Sequence, residues 1–295
     1  MPIARYLSVG LSLCLMVAAV LAPHSGAQVA AVPELTLTEG QLLEIARVDA
    51  PPAGTGLQIH ADFPEEHPLL LDGLTIYALT ADITPEGAVV VRSAVTDEGH
   101  DSGLEQQSDC NDPTFRPLGV LWDADDMPVK WRFNIRTAPE KLKDRLTIRS
   151  ARRAHRVWPR AKTNCNNPDA NEFRFWFTGL IRKHVKFDGV NIVEFGGLGS
   201  GALAVNYTWY RGTKITEVDL RLNRYDYPWT NWIRGGRWSY QVMNVVTHEL
   251  GHQLGLDDLS EPHGALTMYG RIGKGEISKI TLGRGDLKGA ATLSP

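Results

Sequence analysis

The sequence predicts an α+β fold, a twisted mixed sheet carrying two principal helices, and three observations point to it. Strand-length apolar runs recur between residues 57 and 222, several of them alternating apolar and polar as half-buried strands do. A basic stretch after Thr137 keeps Leu142, Leu146, Ala154 and Val157 on one face, the pattern of a helix packed on a core. Further on, Val242, Val245 and Val246 lead a mostly apolar segment over residues 240–254, long enough for a buried helix.

Along the chain, Arg5 precedes an apolar run over residues 7–21, and Ser25-Gly26-Ala27 offers a small-x-small cleavage site. That order reads as a secretory signal peptide over residues 1–27, and hence as a secreted, extracellular protein. The run is too short to span a bilayer comfortably, and no later segment is apolar enough, so no stable membrane association is expected. A short helix is expected within residues 33–49, broken by Pro51-Pro52-Ala53-Gly54. Strands follow at residues 57–63, 74–83 and 88–95, the last two joined by a turn at Pro85-Glu86-Gly87. Residues 97–112 are polar and acidic, a linker composition open to proteolysis.

Beyond the linker, Lys130, Arg132 and Asn134 alternate with Val129, Trp131, Phe133 and Ile135, a half-buried strand. Thr137-Ala138-Pro139-Glu140 has the form of a capping box and opens a long helix running to about residue 158. Its basic face could suit a nucleic acid, but a solvated face is the commoner meaning and a secreted protein meets little nucleic acid, so none is expected. More strands are expected at residues 173–177, 192–195, 203–210 and 215–222. The glycine-rich stretch 196–201 lacks the Lys-Ser/Thr ending of a phosphate loop and reads as a turn.

A composition of 43% hydrophobic and 22% charged residues excludes a disordered or fibrous chain. The net charge of −3 conceals a division: residues 28–112 hold 16 Asp+Glu against 2 Lys+Arg, and residues 113–295 hold 18 against 28. An acidic piece, residues 28–109, therefore precedes a basic one, residues 110–295. Once the signal is removed, Cys110 and Cys165 remain. An even number in an oxidising compartment favours a disulfide between them, the alternative being that one binds a metal.

Residues 248–258 read His-Glu-Leu-Gly-His-Gln-Leu-Gly-Leu-Asp-Asp. His248 and His252 lie one helical turn apart on one face, where both imidazoles can grip one Zn²⁺. Glu249 follows the first of them, placed to take a proton from a metal-activated water and return it to a leaving amine. Gly255 can adopt positive φ, end the helix and turn the chain back toward the metal. Asp258 then stands at the spacing of a third ligand, with His263 and Asp257 as alternatives. Two histidines on a helix can be a surface accident, but Glu249, Gly255 and Asp258 at these spacings make a zinc site the better reading.

This run, with Leu266-Thr267-Met268-Tyr269-Gly270 after it, resembles the metzincin zinc peptidases, and within them the secreted bacterial matrixin-like and snapalysin-like enzymes. The resemblance covers residues 110–295 and leaves out 28–109. It implies a metzincin-like catalytic domain with one catalytic zinc, and Met268 as the methionine of a Met-turn beneath the ligands. It also implies a zinc endopeptidase, a monomer, acting on proteins of the extracellular matrix type. The charge division itself reads as a zymogen, the acidic piece being a propeptide docked on the basic piece by opposite charge until the linker is cut, or else an N-terminal β-rich region. Matrixins use histidine as third ligand; Asp258 is what snapalysin-like enzymes have. The cysteine-switch motif is absent, so latency through Cys110 is not expected. Strand 203–210 is expected to border the cleft as an edge, along which a protein or peptide substrate binds in extended form. Calcium at Asp219 or Asp226 is compatible with the sequence but is not assigned. Two other classes stay open: a secreted zinc-binding protein without turnover, and a zinc hydrolase of a non-peptide amide.

Overall fold

The computed structural model describes residues 35–97, 109–143, 145–165, 171–232, 234 and 236–295. The expected signal peptide and most of the expected linker lie outside them. The described residues belong to one compact unit, a mixed α+β fold around a nine-stranded sheet.

The N-terminal part begins with α1 (Glu39–Ala46), capped by Thr38 and Gln41 in a reciprocal capping box. Four strands follow: β1 (Gly56–Asp62), β2 (Leu69–Leu71), β3 (Leu74–Ile83) and β4 (Val89–Thr96). After the linker come β5 (Val129–Asn134), α2 (Arg145–Ala154), β6 (Phe175–Leu180), β7 (Asn191–Gly196), β8 (Ala204–Arg211) and β9 (Lys214–Asn223). A two-residue pair, β10 (Trp229–Thr230) and β11 (Tyr240–Gln241), leads into α3 (Val242–Gln253), and α4 (Arg284–Leu293) ends the fold. The strand order is β2-β3-β1-β8-β9-β7-β5-β6, with β4 also paired to β3. The β5–β6, β5–β7 and β7–β9 pairs are parallel, whereas β1 to β4 and the β8–β9 pair are antiparallel.

The sheet has a core on each face. The larger one, over residues 118–293, holds α3 and α4 residues such as Val246, Leu250 and Leu287 against Ala204, Tyr210, Leu220 and Leu222 of the strands. The smaller packs Leu42 and Ile45 of α1 and Leu57, Ile59 and Ala61 of β1 against Val205, Tyr207 and Trp209 of β8. Strand alternation produces this division: neighbouring residues of β8 face opposite sides.

Three expectations change. The boundary near residue 110 does not divide two folded bodies, because β1 is hydrogen-bonded between β3 and β8 inside one sheet. Strand β8 is consequently not an edge, having β1 on one side and β9 on the other. The long basic helix is also shorter than expected. Residues Ile135–Thr137 and Glu140–Leu142 form single 3₁₀ turns, and α2 spans Arg145–Ala154. The Thr137 hydroxyl is otherwise engaged, donating to Asn134 O at 2.6 Å and accepting from Phe195 N at 2.9 Å, so no capping box forms there.

Opposite charges of the two pieces meet at several points. Asp97 faces buried Arg271 at 3.4 Å, and Glu66 faces Lys274 at 3.5 Å in a partly exposed pair, worth at most ~1 kcal/mol. The shared sheet and apolar core hold the pieces together. Cys110 and Cys165 are joined by a disulfide with Cα atoms 5.3 Å apart. Among the described residues, no helix is long and apolar enough to cross a membrane.

Candidate metal centre

Every residue of α3 is buried, which suits a helix entered by four valine and methionine side chains and packed between sheet and C-terminal segment. Its first turn is capped by Gln241, whose side-chain oxygen accepts from Asn244 N. His248 and His252 lie on one face with rings nearly perpendicular, 88° apart. Each ring is oriented through Nδ1: His248 lies 2.7 Å from Thr267 O and His252 lies 2.9 Å from Leu256 O. Carbonyls accept only, so both Nδ1 atoms carry a proton and both Nε2 atoms are turned toward a common point.

The chain leaves α3 as the glycine predicts. Gly255 has φ +93°, and a Cβ there would stand 2.6 Å from Val120 O. We expect Gly255→Ala to cost upwards of about 2 kcal/mol from strain and overlap together, seen as a lower urea midpoint. An unchanged midpoint would contradict this account of the turn. After the turn, Asp257 N donates to Arg116 O at 2.8 Å, and Asp258 swings its carboxylate to 3.2 Å from His248 Nε2 and 3.7 Å from His252 Nε2.

Met268 lies beneath α3. Its Sδ lies so near Gly251 that a Cβ on that glycine would be 2.1 Å away, so the helix needs a glycine there for the methionine to seat. Asp286, at the start of α4, accepts from Thr267 N at 2.8 Å, Met268 N at 3.2 Å and Gly283 N at 2.8 Å. It pins the turn whose Thr267 carbonyl orients His248. Buried Lys279 adds bonds to the carbonyls of Thr267 and Tyr269.

A fourth member comes from the N-terminal part. Asp62, the last residue of β1, brings its carboxylate to 3.3 Å from His248 Nε2. One ligand atom from each of Asp62, His248, His252 and Asp258 falls within 4.8 Å of all the others, and all four residues are buried. Both imidazole Nε2 atoms and all four carboxylate oxygens have no hydrogen-bond partner among the described residues. Buried polar atoms left without partners are costly, and so many converging on one point mark a cation site. A buried Asp/His/His/Asp group of this kind can bind a metal ion.

Electrostatics agree. Burial pushes His248 down, but Asp62 and Asp258 outweigh it and hold its pKa up at about 10. Burial pushes Asp62 up, and His248 with its neighbours holds it down at about 2. The cluster draws positive charge. Glu249, fully buried beside it, has both oxygens unpartnered among the described residues. Burial, then the negative charge of Asp62, pushes its carboxyl well above the usual range.

Sequence reasoning missed Asp62 and its neighbour His60, whose ring stacks on His252 with centroids 4.4 Å apart. A signal for both was present. In the run from Gly56 to Asp62, Gln58, His60 and Asp62 are polar at a spacing of two, between Leu57, Ile59 and Ala61. The alternatives for the third ligand have other partners. Asp257 accepts from Thr80 Oγ1 and Ser93 Oγ, both at 2.8 Å, and pairs with Arg116 at 3.3 Å. His263 Nδ1 lies 2.7 Å from Asp112. Tyr269 donates to Glu261 at 2.5 Å.

The two calcium candidates are also engaged. Asp219 accepts from Ile192 N and Lys186 N, and exposed Asp226 accepts from Asn223. Trp229 and Trp232 line a surface groove of about 540 Å³ with Leu142, Leu146 and Arg153, none of them in the Asp/His cluster.

No protein-family model matches the chain, and comparison with curated proteins finds no significant match.

Proposed function

We propose that this chain is a secreted zinc endopeptidase of metzincin type, related to the matrixin-like and snapalysin-like enzymes. The observation that carries the reading is the buried set of unpartnered donors from His248, His252, Asp258 and Asp62, with Glu249 beside it. Two ligands bound tetrahedrally to Zn²⁺ at its usual distances sit about 3.3 Å apart. The contacts of His248 Nε2 with Asp62 and Asp258 are 3.3 and 3.2 Å. Two imidazoles with carboxylates suit zinc, whereas calcium and magnesium favour all-oxygen shells.

His248, His252 and Asp258 would hold the ion, and the carbonyls of Thr267 and Leu256 orient the histidines. The ion supplies a polarised carbonyl and an acidified water at neutral pH. Glu249 would serve as the base toward a water there and as the acid toward the departing amine, and burial raises its carboxyl. Met268 and Asp286 keep the turn under α3 in place.

A second reading draws on a specific observation. Asp62 fills the fourth position, and structural zinc sites typically have four protein ligands; the chain would then be a zinc-binding protein without turnover.

The test begins with metal content, expected at one zinc per chain. The full chain is then nicked with a glutamyl endopeptidase, since residues 98–108 contain Glu98 and Glu105, and that serine enzyme is inactivated afterwards. Cleavage of an unfolded protein should appear, stop with a chelator and return with zinc. Zinc without cleavage before or after nicking would support the closed site. Hydrolysis of small amides with the protein left intact would support an amide hydrolase.

A further inference from the structure

We propose that the outer face of α2, with residues 229–232 beside it, is a docking track for an acidic polysaccharide. The track lies apart from the metal centre and serves whether or not that centre is catalytic.

The first observation is an arginine face that the helix itself does not need. Residues 141–162 hold nine Lys+Arg against one acid, Asp144. Arg145, Arg149, Arg152, Arg153, Arg156 and Arg160 are all exposed. Arg145 and Arg149, Arg149 and Arg153, and Arg152 and Arg156 stand four apart, where like charges repel and weaken a helix. The first turn of α2 carries no acid and begins with Arg145, against the helix dipole. Solubility is served as well by interspersed charges of both signs. Every basic residue from 145 to 160 is arginine rather than lysine. A guanidinium presents a planar fork of donors that binds the paired oxygens of a carboxylate or sulfate, which an ammonium does not.

The second observation is shape. Arg145, Ile148, Arg149, Arg152, Arg153 and Arg156 line a groove of about 420 Å³. Arg153 also lines the groove of about 540 Å³ that holds Trp229 and Trp232, so the two hollows adjoin at one side chain. Trp229 is fixed there: its Nε1 donates to Asn223 O at 2.6 Å, and its ring meets Phe195 edge to face. Trp232 is 61% exposed, and Lys141 lines the same hollow. Indoles offer an apolar platform for the face of a sugar ring, and the cations beside them offer donors to its acidic groups.

Charge and shape together select the occupant. A helix that lies on a lipid surface turns an apolar face toward it, whereas α2 turns outward one exposed large apolar side chain, Leu146, among four exposed arginines. The apolar start of the chain reads as a secretory signal, and outside the cell polysaccharides are commoner polyanions than nucleic acids.

The test uses the full chain with a fluorescent heparin dodecasaccharide as the probe, at an ionic strength of about 0.15 M, where exposed charges are screened beyond about 8 Å. Arg153→Gln should bind about 10-fold more weakly, the loss of one charge-assisted contact. Its slope of log affinity against log salt should fall by about one, as counterion release by a linear polyanion requires. Trp232→Ala should weaken binding about 5-fold and leave the slope unchanged. Arg182→Gln removes an exposed arginine outside both hollows and should bind as the parent does. If Arg153→Gln fails to fold, Arg149→Gln takes its place. Parent affinity in the arginine variant or in Trp232→Ala overturns the proposal, as does an equal loss in Arg182→Gln or no binding by the parent chain. Phosphatidylcholine vesicles containing phosphatidylserine, and a single-stranded DNA, are measured at the same salt. Tighter binding to either than to heparin overturns the polysaccharide in favour of a membrane or a nucleic acid.

Discussion

Glu249→Gln should keep one zinc per chain and lose chelator-sensitive cleavage by about 10²- to 10⁴-fold, the range general-base catalysis supplies. The substitution preserves volume and polarity and removes the proton-accepting charge. Glu249 is outside the four-member ligand group, so metal content should not fall. Its carboxyl is buried without a partner among the described residues and is repelled by Asp62. An amide there should leave the thermal midpoint nearly unchanged, because it keeps the volume of a buried polar group whose oxygens have no partner among the described residues. A merely structural Glu249 would show the reverse pattern, with lower stability and preserved turnover. Metal analysis, product quantification and thermal unfolding on the same nicked sample distinguish the two, and wild-type cleavage by the variant would refute the mechanism.

Asp258→Ala should weaken zinc by more than about 100-fold, since even groups that only orient ligands are worth 10- to 100-fold. His263→Ala should leave zinc in place, because His263 faces Asp112 at 2.7 Å and is absent from the cluster. Its cost should fall on stability, for buried Asp112 would lose a hydrogen-bond partner. Zinc titration against a chromophoric chelator reads the first effect and thermal unfolding the second. Retained zinc in Asp258→Ala together with lost zinc in His263→Ala would reverse the ligand assignment.

Much of the site is legible because it is local in the chain. His248, Glu249, His252, Gly255 and Asp258 lie within eleven residues, and helix geometry plus one glycine turn place them. Strands at 74–83 and 215–222 are found nearly where expected, as β3 and β9, because their pattern records which face is buried. The long helix is misjudged for a physical reason. The Thr137 hydroxyl, which makes a capping signal in sequence, is engaged by Asn134 O and Phe195 N, the second of them 58 residues away. Asp62 is hard to recognise for a related reason, since its partners lie some 190 residues further on.

The sequence by itself determined the α+β class, the pair of histidines on one helical face, the turn at Gly255 and the reach of Asp258, because each follows from spacing within a few residues. It also showed the acidic and basic halves, which the fold joins in one shared sheet. Only the tertiary structure decided that β1 lies against β8, that Asp62 closes the metal cluster and that Asp257 is tied to Thr80 and Ser93. Strand pairing is non-local: alternation tells which face of a strand is buried, and only the folded sheet tells which strand lies beside it.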